Sequence, residues 1–226
     1  MIVVSLTVSP VKNERGKIIG ASKIARDITE QRRSQEQIAA LAREAEHRSK
    51  NLLTTVRALV NLSHGDTPDS LKTAIEGRIQ ALANVNSMFV ETRWIGAELS
   101  AIAVEELAPF AEKDKKRVRV DGPPTVLEPN KAQAIAVIVH EFATNAAKYG
   151  SLSNDKGNLD LTWQQQSDGP LVLRWKEAGG PVATRPSREG FGSRVIKQMV
   201  RQLGGEARFD WQPDGLALEI TFPARN

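Results

Sequence analysis

The sequence contains no cysteine, which excludes disulfides and thiolate metal sites and suits a reducing compartment. No uninterrupted apolar run approaches the roughly 20 residues needed to cross a bilayer, so no transmembrane segment is expected. The N-terminus, MIVVSLTVSPVK, lacks the basic stretch of a signal peptide, and the cytoplasm is the expected location. Aromatic residues are few, and Tyr149 is the single tyrosine. No one sign of charge dominates: 31 basic residues are scattered among 27 acidic ones, with the densest basic cluster at Lys113 to Arg119. That distribution describes a solvated surface, and nucleic acid is not expected as a partner. There is no internal repeat and no low-complexity tract. What is present is ordinary for one or two globular domains: 226 residues, 40% hydrophobic and 26% charged.

Two strands are predicted within residues 2–26. Val4, Leu6 and Val8 alternate with polar neighbours, and Ile18 to Ile24 is a second extended run. Asn13-Glu14-Arg15-Gly16 between them is turn chemistry. Such a hairpin is too small to bury its own face. Residues 28–63 then read as one long helix without an internal Gly or Pro. Ile38, Ala45, Leu52 and Leu59 recur every seven residues, with Leu41, Ala42, Leu53, Val56 and Val60 beside them, a stripe suited to helix pairing. Thr67-Pro68 begins a second helix running to about Arg93, with Leu71, Ile75, Ile79, Leu82, Val85 and Phe89 on its inner side. A second copy would complete a four-helix bundle through residues 28–95. A monomer would instead bury the stripe against the C-terminal part of its own chain. From about Leu99 the pattern becomes helix (101–113), strand (Val118, Val120), helix (131–148), two strands (159–165, 171–176), helix (192–203) and two strands (206–211, 216–222). The fold class is α+β, a helical hairpin followed by a sandwich of one sheet with helices on one face.

Two helices carry candidate chemistry. On the first, His47 falls about 180° from Ile38 at 100° per residue, opposite the apolar stripe and open to solvent. A neutral imidazole there is a nucleophile, or one more polar residue on a wet face. On the 131–148 helix, Asn145 lies about 40° and Lys148 about −20° from Glu141, so the three form one polar line. A carboxylate, an amide oxygen and an ammonium in line suit a Mg²⁺–triphosphate, or belong to a mixed-charge outer face.

Four blocks now fall in order: Glu46-His47-Arg48-Ser49-Lys50-Asn51; His140-Glu141-Phe142-Ala143-Thr144-Asn145-Ala146-Ala147-Lys148-Tyr149-Gly150; Trp175-Lys176-Glu177-Ala178-Gly179-Gly180-Pro181; and Gly190-Phe191-Gly192-Ser193. Together, over about residues 30–223, they resemble the HWE family of sensor histidine kinases, named for a histidine and a Trp-x-Glu that here are His140, Trp175 and Glu177. The resemblance implies a phosphoacceptor hairpin at 28–95 and an ATP-binding domain of the histidine-kinase/Hsp90-like ATPase type at 96–226. It implies His47 as phosphoacceptor, Asn145 as Mg²⁺ ligand and Lys148 as a phosphate contact. Glu141 would orient metal-bound water or assist proton removal. Glu177 stands where related ATPases place an aspartate that reads the adenine amino group. Gly179 and Gly180 would let the backbone approach ATP, and Gly190 and Gly192 open a helix whose N–H groups face phosphate. Trp175 also shares a strand face with Leu171 and Leu173, as a sheet-core residue would.

Two features depart from the pattern. Arg48 follows His47 where many histidine kinases have an acidic residue, and Gly150–Lys156 is short for a lid over ATP. Residues 1–27 resemble the closing strands of a PAS domain. The expected activity is ATP-dependent autophosphorylation with transfer to the receiver domain of a response regulator. The competing expectations are a nucleotide-binding switch or phosphatase without autokinase activity, and a dimerisation module with a vestigial nucleotide site.

Overall fold

A computed structural model describes residues 2–65, 67–92, 94–111, 117–165, 169–184 and 191–224. The chain forms two compact units, Met1–Val56 and Arg57–Asn226.

In the first unit, β1 (Val4–Lys12) and β2 (Ile18–Asp27) form an antiparallel hairpin with Val4 opposite Asp27. Its turn forms as the residues predict: the Asn13 side chain accepts from the Arg15 and Lys17 amides at 3.1 and 3.0 Å, and Gly16 adopts φ 76°. α1 (Thr29–Leu62) comes next and runs on into the second unit. Asp27 starts it, its carboxylate accepting from the Thr29 amide at 2.9 Å and hydroxyl at 2.6 Å. Within this unit the apolar stripe lies open: Ile38 and Leu41 are 66% exposed and Leu53 67%.

In the second unit, the end of α1 buries Leu59. α2 (Pro68–Glu91) opens on Thr67 with the expected cap, here a reciprocal box with Ser70. Leu82, Val85 and Phe89 are buried as predicted, but Ile79 is 40% exposed and its neighbour Arg78 only 4%. The inner stripe therefore carries a guanidinium where an isoleucine was expected. Two short strands that periodicity does not reveal, β3 (Ala97–Glu98) and β5 (Val126–Leu127), pair across α3 (Leu99–Ala111) and β4 (Val118–Asp121). α4 (Pro129–Lys148), β6 (Asn158–Gln165), β7 (Leu171–Ala178), α5 (Phe191–Gln202), β8 (Glu206–Gln212) and β9 (Gly215–Phe222) complete the chain. The sheet order is β4-β6-β7-β9-β8, parallel between β4 and β6 and antiparallel elsewhere.

Period-two alternation puts Leu159, Leu161, Leu173, Trp175, Leu218 and Ile220 in the core, together with Val195, Ile196 and Met199 of α5. α4 lies at the centre of this core, with every residue from Lys131 to Val139 buried. That burial fixes which residues of its last turns border a cavity. No helix among the described residues is long and apolar enough to cross a membrane.

Candidate functional site

A cavity of about 350 Å³ opens at the C-terminal half of α4. Asn145 from α4, Glu177 from β7 and Gly192 from α5 line it, with Phe142, Phe209 and Trp211 as aromatic wall. Phe209 and Trp211 stack two residues apart on β8, ring centroids 6.4 Å apart and planes at 10°. Flat rings around a few polar groups suit a planar, polar-edged ligand.

Glu177 is 6% exposed, and each of its carboxylate oxygens is held. Oε1 accepts from the Trp175 indole N–H at 3.0 Å, and Oε2 from the Ser151 amide at 2.8 Å. Trp175 is thus a sheet-core residue, 5.5 Å from the Phe142 ring, and also the group that aims Glu177. Gly150 leaves the space that Glu177 needs: a Cβ there would lie 2.0 Å from Oε2.

Segment 150–157 forms one wall of the cavity through Gly150 and Ser151. The Arg117 guanidinium donates to the carbonyls of Gly157 at 2.8 Å, Ser151 at 3.3 Å and Asn154. Gly180 packs on this wall, where a Cβ would come 2.7 Å from Ser151 Cα. Gly179 takes φ 71°, and its amide donates to Asp214 at 3.3 Å. Neither glycine borders the cavity; their freedom serves the turn and the close approach of two chain segments.

The polar line on α4 divides. Asn145 borders the cavity and Lys148 is exposed at the helix end, whereas Glu141 is buried and both its oxygens face Arg78. Arg78 Nε donates to Oε1 at 2.6 Å and Nη2 to Oε2 at 3.0 Å. Sequence reasoning missed this guanidinium, although a charge standing on an apolar stripe was its signal. The same signal marks Glu106, buried on α3, whose Oε2 lies 3.0 Å from His140 Nδ1. Gly77 of α2 makes room for that imidazole, since a Cβ there would meet Nε2 at 2.7 Å.

Gly192 sits in the first turn of α5, where a Cβ would lie 2.9 Å from Glu141 Oε2 and 3.6 Å from Asn145 Nδ2. Gly190 lies outside the described residues. His47 belongs to the first unit and is exposed on α1, as expected. It is flanked by i,i+4 pairs, Arg48 with Glu44 and Lys50 with Glu46 at 2.6 Å.

Residues 44–124, which include His47, Arg78 and Glu106, match the model of the HWE histidine kinase family. Over that span the chain is similar to the HWE histidine kinases. A blue-light-activated histidine kinase of Rhizobium johnstonii is 33% identical over 224 residues, 97% of this chain and 64% of that protein. One from Brucella anthropi is 31% identical over 214 residues, 92% of this chain and 44% of that protein. The chain thus spans only about half the length of the curated relatives it matches. The solved blue-light activated histidine kinase EL346 of Erythrobacter litoralis superposes with a TM-score of 0.64 at 20% identity, covering 97% of this chain and 70% of that one. Its kinase domain alone superposes at 0.55 and 16% identity. These two likenesses show that the chain has the histidine-kinase fold.

Proposed function

We propose that the protein is an ATP-dependent histidine autokinase of a two-component system, phosphorylating His47 and passing the phosphoryl group to an aspartate on a response-regulator receiver domain. The observation that carries this reading is the cavity in which Asn145, Glu177 and Gly192 meet under an aromatic wall. Three blocks far apart in sequence supply those residues, in the arrangement a nucleotide needs. The buried Glu177 carboxylate meets the base, its orientation fixed by Trp175 and Ser151. The first turn of α5 presents backbone N–H groups toward phosphate. Asn145 fits Mg²⁺ as a neutral oxygen ligand, because that ion keeps most of its waters and arrives with the phosphates it neutralises. Lys148, at the exposed end of α4, supplies a mobile positive charge.

In the reaction an imidazole nitrogen of His47 forms a bond to the γ-phosphorus, the bond to the β-phosphate oxygen breaks, and ADP leaves. Glu141, on the turn of α4 before Asn145, would orient a water of the Mg²⁺ or assist removal of the imidazole proton. We assign residues 1–27 to the closing strands of a PAS-type sensor, 28–95 to the phosphoacceptor hairpin and 96–226 to the ATP-binding domain. The exposed stripe of Ile38, Leu41 and Leu53 supports a homodimer through residues 28–95. The cytoplasm, which holds ATP and response regulators, is the assigned location.

Incubation with Mg-ATP labelled at the γ-phosphate tests the reading. Wild type acquires an acid-labile, base-stable label and His47→Ala acquires none. ATP binding without any such label would refute the autokinase and leave a nucleotide-binding switch.

A further inference from the structure

Four residues connect the end of α1 to the space behind Gly192, all within the second unit. The Ser63 hydroxyl donates to the Leu59 carbonyl at 2.6 Å and accepts from Arg78 Nη1. Arg78 then grips both oxygens of Glu141, at 2.6 and 3.0 Å. The side chains of the pair are 5% and 7% exposed, so neither charge is met by water. A planar two-point partner fixes the direction of a buried carboxylate. Oε2 also faces the space where Gly192 lacks a side chain, which is also the space beside Asn145. Neither Arg78 nor Glu141 borders the cavity; Gly192, which Glu141 abuts, does.

We propose that Arg78 is a positioning residue of the phosphotransfer site, acting through Glu141: it holds that carboxylate aimed at the gap between Gly192 and Asn145. The assignment rests on the nucleotide reading given above and goes beyond it, because Arg78 stands on the second helix of the hairpin, outside the four sequence blocks.

Two measurements on the whole chain test it, each made on wild type, Arg78→Gln, Arg78→Lys and Arg78→Gln/Glu141→Gln, with folding checked by urea melts. The first is ADP affinity with and without Mg²⁺. Arg78→Gln keeps the metal-free affinity within about twofold and loses most of the Mg²⁺ enhancement. Arg78→Lys, which retains the charge but not the fork, recovers part of it. The double variant is no worse than Arg78→Gln. The second is the initial rate of labelling at saturating Mg-ATP, which falls at least tenfold in Arg78→Gln while the KM for ATP stays within about threefold. An unchanged Mg²⁺ enhancement in folded Arg78→Gln, an equal loss of metal-free affinity, or a faster labelling rate would each overturn the assignment. Wild type that binds ADP with a Mg²⁺ enhancement yet never labels would overturn the autokinase reading instead, and the Mg²⁺ data would still decide the role of Arg78.

Discussion

α1 and α4 each carry a His-containing charged cluster, and the two clusters do opposite physical work. Around His47 on α1, Arg48–Glu44 and Lys50–Glu46 are pairs within one helix, with side chains 37–71% exposed. On α4, His140 and Glu141 are consecutive and pair outward to other helices, His140 to Glu106 on α3 and Glu141 to Arg78 on α2. The pairs on α1 are screened by water and leave the imidazole accessible, as the proposed phosphoacceptor role requires. Those on α4 are shielded, so removing one partner strands a charge. The same residue types thus make a mobile surface in one helix and a fixed framework in the other, and burial is the variable that separates them.

The sharpest way to break this comparison is Arg78→Met, which leaves Glu141 buried and alone. Urea unfolding is expected to show a loss of about 3–5 kcal/mol, with most of it recovered in Arg78→Met/Glu141→Leu, because an apolar pair strands no charge. Equal instability of the double variant would sink the explanation. Glu106→Ala comes next. Its partner His140 keeps 20% side-chain exposure, so water replaces part of what is lost, and the same melt should fall by about 1–2 kcal/mol. On α1, Glu44→Gln and Glu46→Gln should each change stability by less than about 0.5 kcal/mol, and added salt should erase even that. A larger cost would mean that the α1 cluster is not the wet face described.

The smallest effect belongs to Asp27, at the start of α1. Hydrogen bonds from the Thr29 hydroxyl and then its amide hold this carboxyl below the ordinary 3.8. The folded state therefore favours the charged form. Its stabilising contribution is complete above the unfolded value and is lost as pH falls through the folded one. Amide exchange at Thr29 should accelerate below about pH 4 in wild type. In Asp27→Asn that acid dependence should disappear.

Much of the site was legible in the sequence. Asn145 and Phe142 border the cavity because helical spacing puts them side by side on α4, and Glu177 reaches it because β7 alternates cleanly. Trp175 is the sheet-core residue its strand face suggested, and its indole N–H also meets Glu177. The rest needed neighbours that periodicity does not report. Period 3.6 ranks positions around one helix, and it placed Ile79 inward because isoleucine is apolar; Arg78 took that place because a carboxylate 63 residues away receives it. Glu141 passed for a member of an outer polar line for the same reason. The glycines divide in the same way: Gly16 was readable from its turn, whereas Gly150 and Gly180 are small because of a carboxylate on β7 and a backbone segment on the wall.

By itself, then, the sequence determined the long helices and the α+β sandwich that follows them, since local periodicity and short-range spacing suffice for those; the residues proposed to hold a nucleotide came from the family resemblance. Only the tertiary structure decided which charges are buried and what each one grips. The cost of burying a charge depends on its partner in space, and those partners lie on other elements, tens of residues away along the chain.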